Sequence, residues 1–173
     1  MSPRELKASS FSKDTLELFH LINKYQVEYL IVGGYAVNYY GHLRLTGDID
    51  IYFSNAGQNI MKLYDALSEF WGGDIPYLSE AEDLKDPDLV LQYGMPPNRI
   101  DLINHIDGIE FADAWNTKED AIVPYEGESL TIYYISLDLL IKNKEKVKRP
   151  RDSEDLEFLK AAKEKRQNQK EHH

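Results

Sequence analysis

The sequence predicts one α/β (α+β) domain, a single twisted mixed β-sheet flanked by helices, with a small helical cap at its C-terminus. Hydrophobic residues switch along the chain between the helical spacing of three and four and the strand spacing of two, so strands and helices are interleaved. A length of 173 residues fits one domain with a small appendage. Hydrophobic residues make up 42% of the chain and twelve are tyrosines, enough apolar surface for a continuous core. We divide the chain into a core, residues 1–135, and a helical extension packed on it, residues 136–173.

Each element has its own signal. Leu18, Leu21, Ile22 and Tyr25 recur at three and four, which predicts a helix over 14–26 with Asp14 and Glu17 as a capping box. Tyr29, Leu30, Ile31 and Val32 form an apolar run, a buried strand that enters Gly33-Gly34 and then a short helix over 35–40. Residues 48–53 alternate acids and aliphatics, as a half-buried strand does. The next helix, over 55–70, gathers Ile60, Leu63, Tyr64 and Leu67 on one face. Glycines, prolines and acids predict an irregular loop over 71–87, and two strand-like runs, 89–93 and 99–104, bracket a turn as a hairpin. A short helix over 111–117 and a strand over 129–135 follow, and Ser136 caps a helix over 137–147. Pro150 punctuates that helix. The last one, over 153–166, turns Leu156, Leu159 and Lys160 toward the body and gives way to a fraying polar tail.

Composition excludes several function classes. Thirty acidic against twenty basic side chains give a net charge of −10, which disfavours generic binding to polyanions or anionic membranes unless the cations gather on one surface. The absence of cysteine removes disulfides, thiolate zinc sites and Cys nucleophiles together. Residues 1–10 lack the apolar stretch of a leader, and no apolar run approaches the roughly 18 residues of a membrane span. We therefore expect a cytoplasmic protein without membrane contact. The terminal His172-His173 pair enters no site argument.

Chemistry concentrates in three pieces: Gly33-Gly34-Tyr35-Ala36, then Arg44-Leu45-Thr46-Gly47-Asp48-Ile49-Asp50-Ile51, then Arg99-Ile100-Asp101-Leu102. Residues two apart on a strand share a face, so Asp48 and Asp50 project side by side, roughly 6 to 7 Å apart. Two such carboxylates raise each other's pKa unless a cation neutralises them, and hard oxygen ligands suit Mg²⁺ or Mn²⁺. Asp101 repeats the pattern on a strand able to pair with the first, which makes it a third metal ligand and the candidate base. A single such acid is a turn or cap residue as readily as a ligand; the alternating pair with a third acid points to a metal. Gly33 and Gly34 are either a tight turn or a bare stretch of backbone where phosphates approach N–H groups.

Together these pieces resemble the nucleotidyltransferase superfamily related to DNA polymerase beta, whose pattern is a Gly-Gly turn, Asp-x-Asp, then an acid on a later strand. Within it, Gly-Gly-Tyr-Ala with Arg-x-Thr-x-Asp-Ile-Asp-Ile is similar to minimal nucleotidyltransferases of the abortive-infection toxin type and their lincosamide-modifying relatives. Lys142 in Leu-Leu-Ile-Lys-Asn-Lys and the segment Arg151-Asp152-x-x-Asp155-Leu156 match the same group. The resemblance implies a nucleotidyltransferase fold with a catalytic core over 1–135. It implies transfer of a nucleoside monophosphate from an NTP donor to a hydroxyl of a tRNA end, a protein side chain or a small molecule, and a toxin-antitoxin partner. Asp48, Asp50 and Asp101 would be catalytic and hold the metal, and Gly33, Gly34, Arg44 and Lys142 would bind the nucleotide.

Bland readings stand beside these. Lys142 belongs to a basic run through Arg151 that serves equally as a solvated face, and Arg44 is either a phosphate contact or a strand-edge ion pair. His42 and His105 receive no role, and tyrosines near the motifs are read as packing. The competing function is a non-catalytic nucleotide-binding or partner-binding module on the same fold. Retention of all three acids argues for the enzyme.

Overall fold

The apolar run Tyr29–Val32 forms β2, buried at all four positions, and the sheet is built out from it on both sides. The computed structural model describes residues 2–172; Met1 of the segment read for a leader and His173 of the terminal pair lie outside them. The other strands are β1 (Arg4–Glu5), β3 (Asp48–Phe53), β4 (Val90–Tyr93), β5 (Arg99–Ile103), β6 (Glu119–Tyr125) and β7 (Glu128–Tyr134). They form one mixed sheet of seven strands in the order β1-β6-β7-β2-β3-β5-β4. β2 runs antiparallel to β3 and parallel to β7, and β3 runs parallel to β5, which closes the β4–β5 hairpin.

Among the described residues six α-helices accompany the sheet: α1 (Lys13–Lys24), α2 (Gly33–Tyr39), α3 (Gly57–Trp71), α4 (Phe111–Asn116), α5 (Leu137–Val147) and α6 (Pro150–Glu171). α1 packs on α3 and α5 on α6. The expected α/β class is the observed one, with the core between sheet and helices centred on Phe19, Tyr29, Phe53 and Leu63. Leu137, Leu140 and Ile141 of α5 and Leu159 of α6 are buried in that same cluster. No helix among the described residues is long and apolar enough to cross a membrane.

The structure adds β1, starts α2 at Gly33 and not at 35, and departs from the expected elements further at α1, β6 and α6. Ser12, not Asp14, caps α1: its extended backbone lets Oγ accept from Thr15 N at 3.1 Å. β6 has no counterpart in the sequence reading, because its alternation is weak and Pro124 argues against a central strand. It is accommodated because β1 pairs only with Ala121 and Ile122, so the proline faces an open edge where a missing N–H costs nothing. Glu126 and Gly127, both at positive φ (48° and 80°), make the tight turn to β7. α6 starts at Pro150, whose fixed φ suits the first helical position, with Asp152 Oδ2 accepting from Arg149 N at 2.8 Å. It continues through good helix formers to Glu171 rather than fraying after 166.

Candidate active site

Register on two neighbouring strands assembles the acids. Parallel pairing of β3 and β5 sets Asp50 opposite Asp101 and Asp48 opposite Arg99, while Ile49, Ile51, Ile100 and Leu102 point into the core. Carboxylate oxygens of Asp48, Asp50 and Asp101 thereby come within 4.8 Å of one another. Arg99 shares their face and bridges Asp48 and Asp101: Nε donates to Asp101 Oδ1 at 2.8 Å, and Nη2 to Asp101 Oδ2 at 3.0 Å and Asp48 Oδ2 at 2.7 Å. Gln92, opposite Asp101 on β4, donates to Oδ2 at 3.2 Å.

The cluster is short of positive charge. Burial, then the carboxylates of Asp48 and Asp101, push the Asp50 carboxyl up to about 7, against an opposing effect of Arg149 and Arg99. Burial is also the largest cause raising Asp101, which Arg99 counteracts by hydrogen bonding and the Asp48 charge reinforces. A hard divalent cation suits this donor set: oxygen ligands only, crowded enough to protonate, with an arginine already bridging two of them.

Gly33 closes one side of the cluster. It stands at φ 62°, the left-handed region that favours glycine, just past Val32, the β2 partner of Asp50. A Cβ there would collide with the Asp50 carboxylate, and one on Gly34 would meet Thr46 Oγ1 at 2.8 Å. The bare backbone is therefore what lets the acid sit beside the turn. We expect Gly33→Ala to cost about 2–4 kcal/mol of stability, from strain plus displacement of Asp50, and to weaken divalent-metal binding in the same protein. Urea titration and calorimetry with Mn²⁺ measure the two; an alanine variant equal to wild type in both refutes the close approach.

These residues line a cleft of about 790 Å³, with Gly33, Gly34 and the acids on one side and the α5–α6 junction, from Asn143 to Asp152, on the other. Arg44 reaches the cleft from the loop before β3 and is ion-paired there to a helix, not at a strand edge. Its Nε and Nη2 donate to Asp155 of α6 at 2.9 and 3.1 Å. Lys142 is not brought to the site: it is exposed on α5 and does not line the cleft. Lys144 takes that place, 8% exposed, with Nζ at 2.9 Å from both Asp152 and Asp155. The signal was present, since Leu137, Leu140, Ile141 and Lys144 share one helical face that excludes Lys142. Arg99, Gln92 and Asn38 were also missed. Asn38 exchanges hydrogen bonds with the main chain of Arg44, both at 3.1 Å, and pins its loop to α2.

The family model described as "Nucleotidyltransferase of unknown function (DUF6036)" matches residues 12–164. Among solved structures, the chain is similar to an antigenic nucleotidyltransferase-like protein from Paracoccidioides brasiliensis, 14% identical over 86% of this chain and 77% of that one, with a TM-score of 0.43. No curated protein matches the chain.

Proposed function

The chain belongs to the DUF6036 nucleotidyltransferases, and from that premise we propose that it moves a nucleoside monophosphate from an NTP to a hydroxyl acceptor, using Asp48, Asp50 and Asp101. The observation that carries this reading is the acid cluster, fixed by strand register beside the Gly33-Gly34 turn at one cleft. Phosphoryl-type transfer asks little covalent chemistry of a protein; it asks for positioning and for charge where charge develops. Asp48 and Asp50 would hold Mg²⁺ or Mn²⁺, which when bound supplies charge neutralisation at the triphosphate and a lowered hydroxyl pKa, and Asp101 beside them is kept for the acceptor's proton.

The residues of the chain divide the remaining work. Gly33 and Gly34 offer a floor without side chains to the phosphates, and Arg44, Lys144, Arg149 and Arg151 offer donors from the walls. The acceptor oxygen bonds to the α-phosphorus, the bond from that phosphorus to its bridging oxygen breaks, and pyrophosphate leaves. Asp101 takes the hydroxyl proton; a carboxylate has about four acceptor directions, and Arg99 and Gln92 occupy three.

Arg151 lines the cleft and is exposed, Lys142, Lys146 and Lys148 are exposed on the adjoining α5–α6 stretch, and none of the four makes an ion pair among the described residues. That favours a phosphate-bearing acceptor such as a tRNA end over a protein side chain or a neutral small molecule, despite the overall charge of −10. A non-catalytic module would have no use for three carboxylates crowded at a cost to stability.

Thermal shifts with each of the four NTPs, with and without Mg²⁺, test the proposal without knowledge of the acceptor. Donor at about 100 times its dissociation constant adds roughly 2.7 kcal/mol, a rise of several degrees that chelation with EDTA abolishes. Absence of a metal-dependent shift with any NTP overturns the enzyme reading.

A further inference from the structure

The segment Arg151-Asp152-x-x-Asp155-Leu156 still lacks a task, although its two acids are among the most buried polar groups of the chain. Asp152 and Asp155 lie three apart on one face of α6. We propose that Asp155 is a positioning residue of the donor site, a buried carboxylate that aims Arg44 and Lys144 at the phosphates of the NTP. The proposal rests on the nucleotidyltransferase reading above.

The geometry narrows the directions in which each cation can act. Asp155 is 1% exposed and takes two of the five N–H directions of Arg44, through Nε and Nη2, in a fork-to-fork pair. Nη1 remains, with only a long 3.5 Å contact to Leu45 O, and a Cβ on Gly34 would lie 3.4 Å from it. The free edge of the guanidinium therefore lies over the cleft floor at the glycine turn. Lys144 Nζ spends two donors on Asp152 and Asp155 and keeps a third for the cleft it lines. Asp152 in turn accepts from Arg149 N, which fixes the start of α6. The loop carrying Arg44 is fastened a second time where the His42 ring stacks on Phe158 at 4.7 Å, with His42 Nε2 at 3.8 Å from Asp155 and 3.9 Å from Glu154.

Charge gives this arrangement a test with opposite signs. Two carboxylates face two cations, so the quartet is neutral and attracts phosphate by directed N–H groups rather than by net field. Asp155→Asn keeps the shape and makes the cleft one unit more positive. Attraction by charge alone then predicts tighter triphosphate binding, and positioning predicts weaker.

We expect Asp155→Asn to weaken binding of NTP and of inorganic tripolyphosphate, each with Mg²⁺, by about 10- to 100-fold in calorimetry. AMP binding stays within about twofold, and in turnover KM rises while kcat at saturating donor is nearly unchanged. Equal or tighter triphosphate binding in the variant, with wild type binding normally, overturns the role of Asp155. Wild type that binds no NTP overturns the reading beneath it instead. Should Asp155→Asn fail to fold, Arg44→Gln leaves Asp155 paired with Lys144 and is expected to show the same loss, and undiminished triphosphate binding there also overturns the proposal.

Discussion

Asp50→Asn is expected to abolish metal-dependent turnover, by roughly 10³ or more, and at the same time to stabilise the metal-free protein at alkaline pH. The two effects have one origin. The Asp50 carboxyl sits at 3.8 in the ordinary state and is pushed up to about 7 in the folded chain, by burial first and by Asp48 and Asp101 next. Folding therefore tightens its hold on a proton. Its contribution to stability is complete below about pH 4 and is lost as the pH rises through 7, since the ionised form is the one the fold resists. At about 1.4 kcal/mol per pH unit, the loss by pH 8 amounts to at most roughly 4 kcal/mol. Asparagine has no proton to lose, so the stability difference between variant and wild type should grow in favour of the variant between pH 5 and pH 8. Urea titrations of both proteins at the two pH values measure it. A difference that stays flat would mean that Asp50 ionises normally, and the crowded cluster would lose its claim to a metal.

The fold was legible where side chains repeat a period. Leu18, Leu21 and Ile22 mark α1, the acids alternating with Ile49 and Ile51 mark β3, and the two runs around Gly94 mark the β4–β5 hairpin. It was illegible where neighbours in space rather than in sequence decide. β6 is a strand because β7 pairs along its whole length, and its Glu-Gly turn is a weaker sequence signal than Asn-Gly. The acid triad could be read from Asp-x-Asp and Ile-Asp-Leu, because register on adjacent strands needs no knowledge of the rest. Arg99 was visible two residues before Asp101 and was passed over, because nothing local says that its guanidinium bends back across to Asp48. Lys142 was preferred to Lys144 for its place in a motif, and the helical face of α5 decides for Lys144.

Asp101→Asn is expected to separate chemistry from donor binding: turnover falls by about 10²–10⁴, while affinity for NTP with Mg²⁺ stays within about tenfold of wild type. Asp48 and Asp50 remain to hold the donor's metal, so binding persists; what disappears is the group that takes the acceptor's proton. The setting suits that task. Asp101 is buried and its pKa is raised, chiefly by burial, which makes it a stronger proton acceptor than a solvated carboxylate. Arg99 and Gln92 fix its plane and leave one acceptor direction open. In wild type the rate should rise with pH as Asp101 loses its proton, and the residual rate of the variant should lack that limb. Single-turnover transfer from labelled NTP, followed beside donor binding, distinguishes the outcomes. Loss of NTP binding equal to that of Asp50→Asn would make Asp101 a ligand of the donor site, and the base would then have to be sought among the other groups facing the cleft, His105 and Asp107.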